Sequence, residues 1–335
     1  MRNVHTQSFF HVLAWTALFC FGFCTMANAA PKVKPPLEAV RRDDVASVIG
    51  RLVSVDAAKG QFDFQVTRII SGGASLGQAT IAASADIVAR LAPEIDYTLL
   101  VLYRATDPKK PGRVISLDVW QLFDTEGASP PIFLTSEKNS ALFEPAHIEI
   151  ERSANYLTSL LNDLNAKDVQ LVDLSTAEII YSESRRHALT PSDTAKLIAV
   201  IARTDLRGIT RARVLSAASS GSIVAELSQL DQLAKQVLLS APLGQLPWID
   251  SPDELVFAAF NHFTRQVHAT SALKVADFSR WLQSPNPALV EQSAILALRI
   301  DPDDAADAIR VALNYALLPK DARSTLQVLL RRSMQ

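Results

Sequence analysis

The sequence predicts an α+β protein of two domains, a small five-stranded β-barrel followed by an all-α domain of helical repeats. Three observations lead to this fold class. Residues 44–125 are rich in β-branched and aromatic side chains that alternate with polar ones. Residues 148–335 repeat alanine and leucine at helical spacing behind proline-marked starts. The first 29 residues fit neither pattern, and we expect residues 30–43 and 126–147 to be linkers.

The first 29 residues have the layout of a secretory signal peptide. A short amino-terminal region with Arg2 precedes an apolar stretch from Phe9 to Cys24, and the small residues Ala-Asn-Ala end at Ala29. The apolar stretch is shorter than the roughly 20 residues that a membrane-spanning helix needs. We therefore expect cleavage after Ala29 or the next alanine, with no stable membrane span in the mature chain. An uncleaved membrane anchor is the alternative.

The composition of the mature chain favours the bacterial periplasm. Both cysteines lie in the leader, so the remaining chain has no thiol for a disulfide, a nucleophile or a metal site. It also lacks an N-x-S/T glycosylation sequon. Without the leader there are 32 basic and 35 acidic residues, which gives a formal charge of −3, and there is no basic block. This distribution lacks the electrostatic footprint of a nucleic-acid-binding protein.

Residues 44–125 predict three strands, one short helix and two further strands. The stretch QFDFQVTRII alternates Phe62, Phe64 and Val66 with polar residues, and Gly60 marks the turn before it. SADIVARLAP, after the third strand, is the expected helix. This order is similar to that of the five-stranded OB-type barrel, and the opening hairpin resembles the netrin-like version found in secreted proteins. The cysteine framework of that inhibitory family is absent, so protease inhibition is not expected.

Residues 148–335 predict helices separated by short polar breaks. In TPSDTAKLIAVIART, a cap and a proline precede one apolar helix face, formed by Ala195, Ile198, Ala199 and Ala202. Asn286-Pro287 and Leu318-Pro319 each open a helix rich in alanine and leucine. SPNPALVEQSAILAL and LPKDARSTLQVLL look like HEAT-type repeats, a resemblance that implies an α-solenoid with alanine stripes in its core. An irregular helical bundle is the alternative.

Two serine motifs of hydrolases occur in the chain, and neither has the context that catalysis needs. GASLG, around Ser75, spells G-x-S-x-G, but a nucleophile elbow joins a strand to a helix, whereas this stretch lies between two expected strands. We expect Ser75 to be a turn residue. SALK, at Ser271, spells S-x-x-K without the companion S-D-N and K-T-G motifs. We expect Ser271 to cap a helix.

No pattern in the sequence predicts a metal or cofactor site. His262 and His268 are six residues apart, which places them on different faces of a helix. DPDDAAD, residues 301–307, lacks the ligand and the glycine at the fifth and sixth positions of a calcium-binding loop. Its acidic residues suit the first turn of a helix, where they face the positive end of the dipole. We expect no metal and no cofactor.

The sequence favours an exported, non-catalytic protein that binds or scaffolds a protein partner in the cell envelope. No motif carries a reaction, so we do not expect an enzyme, and a helical array offers an extended surface. The expected partner surface consists of charged residues outside the apolar stripes, namely Glu291, Arg299, Arg310 and Arg323. The polar connection ESRRHALTPSD is another candidate binding loop. The alternative functions are a cell-envelope hydrolase without a recognisable motif and a glycan-binding barrel that uses Tyr97, Tyr103 or Trp120.

Overall fold

The computed structural model describes residues 35–40, 46–83, 88, 91, 98–104, 112–114, 132–135, 155–243, 253–266 and 273–333. These residues form a mixed α+β fold, with a largely antiparallel sheet in the N-terminal part and a succession of helices from residue 156 onward. The predicted α+β class is therefore confirmed. The expected leader and Ser271 lie outside the described residues.

The described part of the sheet contains six strands. In chain order they are β1 Ala46–Asp56, β2 Gln61–Ser71, β3 Gly77–Ala82, β4 Thr98–Arg104, β5 Gly112–Val114 and β6 Ile132–Thr135. Strands β1, β2 and β3 pair in antiparallel order, and β4 pairs antiparallel with β1. Strand β5 lies parallel to β3 and antiparallel to β4, with two residue pairs on each side.

This sheet differs from the closed five-stranded barrel that the sequence predicts. The three long strands β1 to β3 form an open antiparallel sheet, and the three-residue β5 is too short to close it into a barrel along its length. Of the predicted fifth strand, RVISLDVWQLF, only Arg113 and Val114 are described. Strand β6 lies in the range 126–147 that we expected to be a linker, where it adds an antiparallel pairing to β4.

Strand β2 supplies the core of the sheet in the alternation that the sequence predicts. Phe62, Phe64 and Val66 are buried, whereas the residues between them are partly exposed. The buried side chains pack in one cluster with residues from the neighbouring strands, namely Ala46, Val48, Ile81 and Val101. Gly60 has a φ of 62° in the turn before β2, a conformation that glycine adopts without strain. The predicted alternation in β2 and the predicted glycine turn at Gly60 are both confirmed.

Strand β1 is irregular where it crosses β2. Its register to β2 shifts between Ile49 and Gly50, and again between Leu52 and Ser54. A β-carbon on Gly50 would lie 2.0 Å from the carbonyl oxygen of Gln65 on β2. No side chain fits at that distance, so this crossing requires a glycine.

Twelve α-helices and one 3-10 helix are described. They are α1 Pro36–Val40, α2 Tyr156–Asp163, α3 Val169–Ile180, α4 Glu183–His187, α5 Pro191–Ala202, α6 Gly208–Ser219, α7 Leu227–Ser240, α8 Asp253–Arg265, α9 Val275–Phe278, the 3-10 helix Ser279–Gln283, α10 Pro287–Ile300, α11 Pro302–Leu313 and α12 Lys320–Ser333. Several begin as the sequence predicts. Thr190 and Asp193 form a capping box ahead of α5, and Asn286 caps α10.

Alternate helices pack against each other in what we call the central row. In this row α3 packs on α6, α6 on α8, α8 on α10 and α10 on α12. The intervening helices α5, α7 and α11 each pack beside a member of the row. The first member, α3, is buried from Val172 to Ile180, including its polar residues Asp173 and Glu178.

The alanine face predicted for α5 is wrong. Ala195, Ala199 and Ala202 are exposed, and of the four predicted residues only Ile198 is buried. The buried side chains of this helix are Thr194, Leu197, Ile198, Val200 and Ile201. Burying a leucine or isoleucine removes more apolar surface from water than burying an alanine, so the larger residues determine which face turns inward.

The segment ahead of the sheet docks on the helical region. Its α1, inside the expected linker 30–43, packs on α3 with Leu37 fully buried. The backbone N–H of Leu37 donates a hydrogen bond to the carboxylate of Glu178, which is itself fully buried. The other oxygen of Glu178 accepts from Arg185, with Nη1 and Oε2 2.5 Å apart. This part of the expected linker is therefore an ordered component of the helical packing.

Within the described residues, no helix is both long enough and apolar enough to cross a membrane.

Candidate functional site: an arginine-lined cleft

A cleft of about 560 Å³ opens between the end of α3, helix α4 and the middle of the central row. We call it the arginine cleft. Its volume lies within the range typical of ligand-binding sites. The polar side chains that the cleft presents include three guanidinium groups, an amide and serine hydroxyls, from Arg186, Arg213, Arg265, Asn261, Ser216 and Ser220.

Helical spacing explains why these residues share one cleft. Ala212 and Ser216 on α6 and Ser220 at its C-cap recur every four residues, which places them on one side of the helix. On α8, Asn261 and Arg265 follow the same spacing. Because α6 and α8 pack directly on each other, their two polar faces border the same opening.

Arg213 is anchored at the base of the arginine cleft. Its side chain is 5% exposed, and its Nη1 lies 2.6 Å from Oδ1 of Asp173, on the buried helix α3. Asp173 also accepts from Arg207 at 2.5 Å and from the Thr210 hydroxyl at 2.7 Å. One buried carboxylate is thus shared by two guanidinium groups, and the charge of Arg213 is paired where it borders the cleft.

Tyr181 lies beside Arg213 and also lines the arginine cleft. Burial raises the pKa of the Tyr181 phenol, while the charge of Arg213 and a hydrogen bond to it oppose the rise. The phenol therefore stays neutral at physiological pH and keeps its O–H group.

The other two arginines lie closer to solvent. Arg186 is half-buried, and its Nη1 donates to the carbonyl oxygen of Ile180 at the end of α3. Arg265 is exposed, and among the described residues it has neither an ion pair nor a hydrogen-bond partner for its side chain. The cleft also contains one carboxylate, that of Glu254. With Arg213 paired to Asp173, the cleft lining carries Arg186 and Arg265 against Glu254, a small excess of positive charge in a chain whose formal charge is negative.

A second polar network joins α6, α7 and α8. The Ser219 hydroxyl lies 2.8 Å from Nδ1 of His262, and Nε2 of His262 lies 2.8 Å from Oδ1 of Asp231. His262 is fully buried and Ser219 is 8% exposed. The three residues have the Ser–His–Asp order of a hydrolase triad, with the two imidazole nitrogens exchanged relative to the serine-protease arrangement.

In the described turn that follows Ser219, the backbone N–H groups are not arranged as an oxyanion hole. Ser219 ends α6, and the N–H groups of Ser220, Gly221 and Ile223 that follow it already donate to carbonyl oxygens of the same turn. Acyl transfer needs such N–H donors directed at the developing oxyanion. The local geometry therefore favours a buried hydrogen-bonded link between three helices.

Of the serine and metal motifs of the sequence, Ser75 and the acidic stretch 301–307 lie outside the arginine cleft, whereas His262 belongs to the Ser219 network. Ser75 is exposed in the connection between β2 and β3, where the sequence places it. Asp301 caps α11 by accepting from the N–H groups of Asp303 and Asp304, as expected for acids in a first turn. Among the described residues, no group of three histidine, cysteine or acidic side chains is arranged to hold a metal ion.

The residues of the expected partner surface lie on α10, α11 and α12, outside the arginine cleft. Glu291 is exposed on α10. Arg299 donates to the carbonyl oxygen of Thr264 at 2.8 Å, and Arg310 pairs with Asp307 at 2.5 Å. Arg323 donates to the carbonyl oxygens of Leu313 and Tyr315, so it closes the end of α11.

The arginine cleft is not recognisable from the sequence. The one indication of the cleft in the sequence is Arg186, which lies in ESRRHALTPSD, the candidate binding loop. The other cleft residues are ordinary members of amphipathic helices, and only the packing of α6 on α8 brings them together. No sequence pattern indicates the Ser219 network either, because its three residues are separated by 12 and 31 positions.

No protein-family model, no curated protein and no solved structure matches this chain.

Proposed function

We propose that this is an exported, non-catalytic protein of the cell envelope that binds a protein partner through its helical region. The observation that carries the proposal is the arginine cleft, an open site whose lining carries more positive than negative groups in a chain with a small negative formal charge. Charge complementarity of this kind directs protein association. The signal-peptide layout of residues 1–29 and the absence of cysteine from the mature sequence support the periplasm as its location.

The packing supports a more specific architecture. We propose a HEAT-like array, because the central row stacks alternate helices while α5, α7 and α11 form a flanking layer. Two stacked layers of this kind produce the extended surfaces on which solenoid proteins bind partners. For the sheet we propose the OB type, because the pairings run β1–β2–β3–β5–β4 and return to β1. That order is the one expected for a five-stranded Greek-key barrel of this type.

The charged residues on α10 to α12 are a second candidate surface for the same partner. Glu291 and Arg310 are exposed, and the Arg310–Asp307 pair is also largely exposed to solvent. Exposed pairs of this kind contribute little to stability, and a partner can therefore exchange with them at low cost. We place this surface second because its arginines already have local partners.

A cell-envelope hydrolase is the alternative, and one observation favours it, the Ser219–His262–Asp231 chain. Burial of Ser219 and the occupied N–H groups around it oppose this function. A glycan-binding barrel has no comparable support, because Tyr97 and Trp120 lie outside the described residues and nothing is described of the side chain of Tyr103.

Chemical crosslinking in a periplasmic extract, followed by affinity purification and mass spectrometry, tests the proposal. We expect the wild type to capture a partner, and we expect crosslinked peptides of the protein to map to the helices around the cleft. Arg299→Ala with Arg310→Ala provides the comparison for the second surface. Capture of no protein by the wild type, together with hydrolysis of an ester or peptide substrate that Ser219→Ala abolishes, would replace this function with the hydrolase.

A further inference from the structure

The charge and shape of the arginine cleft restrict what it can hold. Guanidinium groups are planar donors that bind carboxylates through two parallel hydrogen bonds. The cleft presents three of them, and one, Arg265, has no side-chain partner among the described residues. A ligand with a carboxylate therefore fits the strongest unsatisfied donor of the site.

The floor of the arginine cleft is apolar. Between the arginines it is lined by small and aliphatic side chains and one aromatic ring, from Ile209, Ala212, Ala217, Ala258 and Phe257. A free inorganic anion would leave this surface exposed to water. A ligand that carries an apolar group next to its carboxylate would cover it and gain from the burial.

The rim of the arginine cleft suits a polypeptide backbone. Ser216, Ser220 and Asn261 are exposed, and their hydroxyl and amide groups can both donate and accept hydrogen bonds. A peptide presents N–H and C=O groups in alternation, so it matches such a rim. The cleft is also open to one side, which lets a segment of a larger protein enter.

We infer that the arginine cleft binds a short acidic peptide segment of a protein partner, in which a carboxylate pairs with Arg265 and an adjacent apolar side chain packs on the floor beside Phe257. Arg186 adds positive charge from α4, while Arg213 lies at the base with its charge paired to Asp173. This inference rests on the proposed function, because it specifies the partner that the helical region would bind.

Fluorescence anisotropy on the full mature chain tests the inference. The probe is a short fluorescein-labelled peptide of alternating glutamate and leucine. One matched peptide has glutamine in place of glutamate, and a second has serine in place of leucine. We expect the first peptide to bind and each matched peptide to bind at least about tenfold more weakly, the scale of losing a hydrogen bond to a charged group or one buried apolar side chain. Added salt should weaken the binding.

Variants at Arg265 show whether this site is responsible. Arg265 is exposed, so Arg265→Gln should leave folding unchanged while weakening peptide binding by about tenfold. Arg265→Lys keeps the charge but loses the planar fork, and should recover only part of the affinity. Arg332→Gln makes the same change at an exposed arginine near the end of α12, outside both candidate surfaces, and should leave binding unchanged.

Three results would overturn the inference. They are equal binding of the glutamate and glutamine peptides, equal binding by wild type and Arg265→Gln, and displacement of the peptide by inorganic phosphate with no dependence on the leucines. The last result would indicate a site for small anions. If any of these occurs while the crosslinking experiment still captures a partner, the peptide inference fails and the proposed function stands. If the peptide fails to bind and no partner is captured, both fail.

Discussion

The carbonyl oxygen of Gln65 lies 2.0 Å from the position that a β-carbon on Gly50 would occupy. In the irregular crossing of β1 and β2, Gly50 is paired with Val66 and Gln65 with the next residue of β1, and the close contact decides which residue can stand at position 50.

We predict that Gly50→Ala destabilises the sheet by about 1–3 kcal/mol, because the strands must separate to admit the methyl group. The measurement is urea unfolding followed by circular dichroism. Gly73→Ala is the matched control, because a β-carbon at Gly73 would have no atom within 4 Å. It should change the unfolding free energy by less than about 1 kcal/mol. Equal unfolding midpoints for the two variants would contradict the close approach.

The buried carboxylate of Glu178 provides a second prediction. Glu178→Ala should lower the unfolding free energy by about 3–5 kcal/mol, because it removes the buried carboxylate that accepts from the N–H of Leu37 and pairs with Arg185. Glu183→Ala, at an exposed position on α4, is the control and should be nearly neutral. Limited proteolysis adds a local readout, since Glu178→Ala should expose residues 35–40 to cleavage. Protection equal to that of the wild type would mean that α1 is held by other contacts.

The Ser219 network should contribute to stability and not to catalysis. We predict that Ser219→Ala lowers the unfolding free energy by about 1–3 kcal/mol, because Nδ1 of His262 loses its hydrogen-bond partner in a buried site. Ser216→Ala, on the same helix but exposed, should have little effect. A fluorophosphonate probe should label neither Ser219 nor Ser75. Labelling that disappears in Ser219→Ala would establish the hydrolase function instead.

Acid should weaken the contact between α7 and α9. Two hydrogen bonds hold the pKa of Asp277 below its ordinary value of 3.8. Lys235 donates the first, with its Nζ 2.9 Å from Oδ2 of Asp277, and the backbone N–H of Lys274 donates the second. A carboxyl group with a lowered pKa stabilises the folded state at pH values above the pKa of the same group in the unfolded chain. This stabilisation is lost as the pH falls through the pKa of the group in the folded protein.

We therefore predict that wild type is more stable than Asp277→Asn at pH 7, and that the difference shrinks as the pH falls below about 4. Urea unfolding of both proteins across this pH range measures it. Lys235→Gln should reduce the same difference at pH 7, because it removes the largest cause of the lowered pKa. A difference between wild type and Asp277→Asn that is constant with pH would rule out this linkage.

The sequence alone predicted the structural features that a local residue pattern determines. Alternation in β2 predicted the buried face of Phe62, Phe64 and Val66, and the cap and proline at Thr190 predicted the start of α5. These features depend on neighbouring residues alone. The prediction of an alanine face on α5 was wrong, because the packing of the other helices against α5 decides whether its alanines or its larger apolar residues are buried.

The candidate site depends on contacts that are distant in sequence. Asp173 and Glu178 lie in VQLVDLSTAEII, where a carboxylate would ordinarily be placed at the surface. Asp173 is buried because Arg207 and Arg213, more than 30 residues later, supply its countercharges. Glu178 is buried because Arg185 and a backbone group 141 residues earlier satisfy it. No periodicity in a single segment contains that information.

The docking of α1 on α3 changes how the two parts of the chain are connected. Because residues 36–40 belong to the helical packing and α2 to α12 complete it, the chain leaves the helical body, forms the sheet and returns to the same body. In these terms the sheet is an insertion into a helical protein. A version in which a flexible linker replaces residues 46–154 should therefore retain the bond between Leu37 and Glu178, whereas a fragment cut at residue 148 would leave that buried carboxylate without one of its donors.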